Sequence, residues 1–231
     1  MRRLIVNADD FGLAAGVNEG IIKAHVCGIL TSTSLMVDRP AAADAVRLAR
    51  EHPALSVGLH YVEDGPEIDE PGHVARTFAA QLARFRELTG ADPTHVDSHH
   101  HVHLTRMSTF TPLVAPLGVP LRGDGRVPYL GEFYAQPRRG VVELERVRTP
   151  FLLELLSRGD VTAEFIELGC HPARVTDDLQ SSYAGEREVE LATLTEPGLR
   201  ARIAELGLTL ASYHDWLATR QAPPTSRLAH G

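Results

Sequence analysis

Leu4-Ile5-Val6-Asn7-Ala8-Asp9-Asp10-Phe11-Gly12 is the stretch that decides how this chain is read. A short apolar run reads as a buried strand, and this one stops at two adjacent carboxylates and a glycine. Two neighbouring acids repel each other and add nothing to packing; a cation or a shared proton gives the pair a purpose. An isolated Asp-Asp pair is more commonly a solvated turn. Here the same pattern recurs, with apolar runs ending in residue types that do chemistry.

Strand-like runs cover residues 3–8, 30–37, 55–61, 94–98, 119–122, 165–170 and 208–213. Helix-like patterns lie between them at 14–26, 41–51, 74–88, 110–117, 151–157 and 199–206. About seven strands alternating with helices imply an α/β protein with a parallel sheet, open or closed into a barrel. The alternation fits one domain over residues 1–217, followed by a loosely held tail at 218–231 that contains Pro223-Pro224. Residues 123–149 break the rhythm with prolines, glycines, Tyr129, Phe133 and Tyr134. They read as a long loop over one end of the sheet, either a functional lid or an irregular surface excursion.

Ligands of parallel α/β folds bind at the carboxyl ends of the strands. Asp9 and Asp10 end the first run, His60 the third, His99 the fourth, Arg122 the fifth and His171 the sixth. A lone histidine such as His60 is more often a hydrogen-bonded structural residue. Five strand ends on one edge are hard to explain by packing. His25, His52, His73, His214 and His230 fall in helix or loop contexts and take no role.

The densest cluster is Thr94-His95-Val96-Asp97-Ser98-His99-His100-His101-Val102-His103. With period two, His95, Asp97, His99, His101 and His103 share a face for as long as the strand persists. One or two of them are expected to reach a metal, the others to support it or contact substrate. An Asp with two His from separate strands is a common catalytic divalent-metal shell, and the second Asp can act as base. Alternation does not say which of Asp9 and Asp10 faces the ion.

Composition removes several classes. The 231 residues carry a formal net charge of −7 and no basic stretch to meet a phosphate backbone, so no nucleic-acid partner is expected. Cys27 and Cys170 are too few for a disulfide framework. No apolar stretch approaches the ~20 residues of a membrane span, and the first apolar run is too short for a signal sequence. The expected location is the cytoplasm, with no membrane partner.

With these residues laid out, the chain resembles the YdjC-like carbohydrate deacetylases, which include chitooligosaccharide and diacetylchitobiose deacetylases and are distant relatives of the polysaccharide deacetylases. The resemblance is carried by Asn7-Ala8-Asp9-Asp10-Phe11-Gly12, Thr31-Ser32-Thr33-Ser34, Gly58-Leu59-His60, the histidine cluster and Cys170-His171-Pro172. It implies a distorted seven-stranded (β/α) barrel and one divalent metal, Zn²⁺ or Mg²⁺, held by Asp10, His60 and His99. It further implies Asp9 as general base, His171 as the acid on the leaving amine, and Arg122 and His101 near the substrate, Arg122 contacting it or supporting those that do. The substrate class implied is a small N-acetylated sugar, giving acetate and a free amine, with a homodimer as a candidate assembly. The loop after His60 and residues 123–149 depart from the family pattern in length, which leaves the sugar open. The rival readings are a barrel metallohydrolase using His101-x-His103 as its ligand pair on phosphoesters or cyclic amides, and an inactive sugar-binding relative.

Overall fold

The computed structural model describes residues 2–158 and 163–221. Its centre is β1 (Arg2–Phe11), buried from Leu4 onward because it has sheet on both edges. In chain order there follow α1 (Ala15–Cys27), β2 (Ser32–Leu35), α2 (Ala42–Glu51), β3 (Ser56–Tyr61), α3 (His73–Thr89), β4 (Val96–Ser98) and α4 (Met107–Val114). Then come β5 (Tyr129–Leu130), α5 (Thr149–Ser157), β6 (Phe165–Cys170), α6 (Gly185–Leu194), α7 (Leu199–Glu205), β7 (Leu208–Ala211) and α8 (Tyr213–Gln221). All strand pairs are parallel, as the alternation with helices requires.

The sheet runs β4-β3-β2-β1-β6-β5, with β7 also on β1. One edge of β1 pairs with β6 over Arg3–Ala8. Its other edge is shared end to end by β7, opposite Arg2–Ile5, and β2, opposite Asn7–Phe11. This forked sheet is the distortion of the barrel. Along β1, Leu4, Val6 and Ala8 belong to the large core under the helices, while Ile5 packs with Val127, Phe165, Tyr213 and Trp216. Period two therefore turns Ile5, Asn7 and Asp9 toward the barrel interior.

Residues 119–122, expected as the fifth strand, make only a bridge between Leu121 and Val96. Pro120 has no N–H to give, and the N–H of Leu121 donates to Asp124 Oδ2 at 2.8 Å. Gly123, at φ +82°, then turns the chain away. The fifth strand is Tyr129–Leu130, inside the region read as a loop. Residues 119–130 thus cross the gap between β4 and β6 without a continuous ladder.

Two helices have no counterpart in the sequence reading. The inward side of α6 carries Glu186, Arg187 and Glu190 beside Leu191 and Leu194, all buried, so charged residues interrupt its apolar stripe. The other is α8, which carries helix past residue 217; residues 222–231, most of the expected tail, lie outside the described residues. Among the described residues, no helix is long and apolar enough to cross a membrane.

Candidate active site

A β-bulge brings both carboxylates of the opening motif to the same mouth. Between the pairs Ala8–Thr33 and Phe11–Leu35, β1 has one residue more than β2. Asp10 absorbs the extra residue at φ +69°, in the left-handed region. Alternation alone would turn Asp10 away from Asp9; with the bulge, both line the cavity at the barrel mouth. That cavity, about 840 Å³, is also walled by His60, His99, His101, Tyr129, Tyr134, His171 and Arg187.

Asp10 Oδ1 lies 3.3 Å from His60 Nε2 and 3.1 Å from His99 Nδ1. One donor atom from each of the three residues falls within 4.8 Å of the others. Two metal–ligand bonds of ~2.0–2.1 Å at a tetrahedral angle would set donor atoms roughly 3.3–3.4 Å apart, so this donor set fits a transition ion. Asp9, His60 and Asp97 form a second such group. There Arg122 Nη2 already lies 2.7 Å from Asp9 and 2.8 Å from Asp97, and a guanidinium fills the place of a cation.

The motifs earn their residues one by one. His60 donates its Nδ1–H to Asp97 at 2.7 Å, which directs Nε2 toward Asp10. Ser34, the last residue of Thr31-Ser32-Thr33-Ser34, donates to Asp97 at 2.8 Å and accepts from Asn7 at 3.1 Å. Gly58 is required because a Cβ there would sit 2.4 Å from the His95 ring. Gly169 likewise admits the Tyr129 hydroxyl, which would lie 2.4 Å from a Cβ.

Arg122 does not line the cavity. It is 2% exposed and grips both oxygens of Asp9 at 2.7 and 2.8 Å, together with Asp97 and Glu167. Of the two places the sequence left for it, the geometry is that of support to Asp9. Burial pushes the Asp9 carboxyl up, but Arg122 more than offsets this and leaves it below the usual range. Asp97 is held far lower, because Arg122 and His60 outweigh its burial. For metal-free His60, burial favours the neutral ring, yet Asp97 and Asp10 raise its pKa to about 10.

The histidine cluster divides by height. His95 is stacked 4.0 Å from Tyr213 on the barrel floor, and burial lowers its pKa to about 3. The strand ends at Ser98, and His100 and His101 take left-handed φ of 52° and 53°, so the shared face stops at His99. His101 stays on the cavity wall, its Nε2 3.5 Å from the Tyr129 hydroxyl and its Nδ1 buried without a partner. His103 accepts from Ser98 and donates to Arg122 O at 3.0 Å, so both its nitrogens are used and the His101-x-His103 ligand pair does not form.

His171 sits opposite, between Tyr134 and Tyr183, with Nε2 3.8 Å from Asp9 Oδ2. Burial lowers its pKa to about 4. Its backbone N–H donates to Glu190 at 2.5 Å, and Glu190 also accepts from the Tyr183 hydroxyl. Burial raises the Glu190 carboxyl to about 7. Glu167, Arg187 and Glu190 received no role from the sequence. Asp97 was placed only generally, two residues before His99 on the strand's inward face, among the residues expected to support the metal or contact substrate.

Residues 3–62 and 65–205 match the sequence profile described as YdjC-like protein. A chitooligosaccharide deacetylase of Serratia marcescens is 36% identical over 250 aligned positions, covering 92% of this chain and 98% of the relative. A carbohydrate deacetylase of Geobacillus stearothermophilus is 37% identical, covering 93% and 98%. A crystal structure from Enterococcus faecalis, described as a candidate cellobiose-phosphate cleavage protein, superposes with a TM-score of 0.76 at 27% identity, covering 93% of this chain and 98% of the other. With the forked barrel and the acid–histidine mouth already in view, this chain belongs to the YdjC-like protein family.

Proposed function

We propose that the chain is a metal-dependent carbohydrate N-deacetylase, which hydrolyses the acetamide of an N-acetylated sugar to acetate and a free amine. The observation that carries this is the Asp10–His60–His99 donor set flanked in one cavity by Asp9 and His171. The two deacetylase relatives, matched over nearly their whole length, support the same reaction.

Asp10, His60 and His99 hold the ion, and two imidazoles favour Zn²⁺ or a similar transition ion over Mg²⁺. When bound, the ion supplies Lewis acidity toward the amide carbonyl and the attacking water. Asp9 takes the proton of that water, with Arg122 holding both of its oxygens in place. An amine leaves poorly from an amide, so an acid is needed on the nitrogen, and His171 is the group facing Asp9 across the mouth.

Because burial keeps His171 neutral at pH 7, it acquires its proton during the cycle. Asp9, 3.8 Å away and newly protonated, is the nearest acid to supply it. His101 and Tyr129 offer polar atoms to the sugar from the cavity wall.

The test is acetate release from N-acetylated mono- and oligosaccharides by zinc-loaded protein. Release that disappears on chelation and returns with zinc is expected. No release from any N-acetyl sugar by metal-loaded protein would overturn the reading.

A further inference from the structure

We propose that Arg187 is a positioning residue of the metal centre: it ties up one oxygen of Asp10, so that the other alone is offered to the ion. This rests on the metal site argued above.

Asp10 has two oxygens with separate surroundings. Oδ1 faces His60 and His99, while Oδ2 accepts from Arg187 Nη2 at 2.5 Å. Both side chains are buried, at 4% and 2% exposure, so little water competes for this ion pair. The guanidinium is fixed at a second point, since Nε donates to Tyr183 O at 2.8 Å. Its carbon also lies 5.8 Å from the centre of the Tyr183 ring. A carboxylate left free could swing, or grip an ion through both oxygens as it does around larger cations. Held at Oδ2, it presents a single atom, as a tetrahedral transition-ion site requires.

The helix behind Arg187 is itself anchored at the site. One turn further along α6, Glu190 accepts the His171 backbone N–H and the Tyr183 hydroxyl. A single helix thus supports the metal ligand through Arg187 and the His171 loop through Glu190. Arg187 lines the cavity, and its Nη1 is buried without a partner.

The experiment is zinc affinity by competition with a chromophoric chelator, on full-length protein first stripped of metal, with thermal melts to establish folding. Arg187→Met is expected to weaken zinc binding by on the order of 10–100-fold, the usual effect of losing an outer partner of a ligand. Arg187→Lys is expected to recover part of the loss, since it keeps the charge but not the two-point fork. Unchanged or tighter zinc binding in folded Arg187→Met overturns the proposal. If that variant does not fold, Arg187→Lys carries the test, and native affinity in it overturns the proposal. His99→Ala is the control: if it keeps native zinc affinity, the metal site itself fails, an outcome distinct from failure of the Arg187 assignment.

Discussion

Asp97 accepts the Nδ1–H of His60 at 2.7 Å, leaving Nε2 as the nitrogen that faces Asp10 at 3.3 Å. A carboxylate behind a ligand histidine fixes the ring and its tautomer and makes the free nitrogen a better donor. Asp97 is fully buried and is held in turn by Ser34 and Arg122. Asp97→Asn keeps the shape but weakens the acceptor. Zinc affinity is expected to fall on the order of 10–100-fold, read by chelator competition. Native affinity would show that His60 needs no such partner.

Asp9→Asn separates base from ligand. The three residues proposed to hold the ion stay intact, so metal stoichiometry is expected to remain native. Turnover should fall on the order of 10²-fold or more, the usual loss with a positioned base. Metal content measured beside kcat decides it. Loss of the metal together with turnover would mean that the roles of Asp9 and Asp10 are exchanged.

The acid role of His171 is tested by the leaving group. His171→Ala should damage hydrolysis of an N-acetyl amide far more than that of an activated aryl acetate, whose leaving group needs no proton. Equal losses on both substrates in a folded variant would assign His171 to support of its loop.

Acid should destabilise the fold through buried histidines. Burial lowers His95 to about 3 and His103 to about 4, against an ordinary value of 6.5. As pH falls below 6.5 the unfolded chain takes up protons that the folded chain refuses. The stability these residues contribute is therefore complete above about pH 6.5, and is lost as pH falls toward 4 and 3. Each proton of difference is worth ~1.4 kcal/mol per pH unit. His95→Phe, which preserves the stack on Tyr213, should make Tm fall less steeply between pH 6.5 and 4. An unchanged slope would mean that His95 is protonated in the folded state.

Much of this was legible because period two and strand ends are local signals. The run ending in Asp9-Asp10 read as the first strand, and His60, His99 and His171 stood at strand ends that the structure gathers into one cavity. What escaped depended on tertiary context. The bulge at Asp10 arises from register against β2, which no single strand's pattern encodes. Arg122 read as either a substrate contact or a support, a choice the strand pattern could not make because it depends on three carboxylates from β1, β4 and β6 that draw the side chain inward. Helix α6 was invisible because Glu186, Arg187 and Glu190 interrupt the buried face that Leu191 and Leu194 would otherwise have announced.

The proposed metal centre holds a single ion among Asp10, His60 and His99. Anomalous diffraction from crystals soaked in zinc, with data above and below the zinc edge, tests it most directly. One peak bound by Asp10 Oδ1, His60 Nε2 and His99 Nδ1 is the expected result. A peak among Asp9, His60 and Asp97 with Arg122 displaced, or no peak at the barrel mouth at saturating zinc, would contradict it.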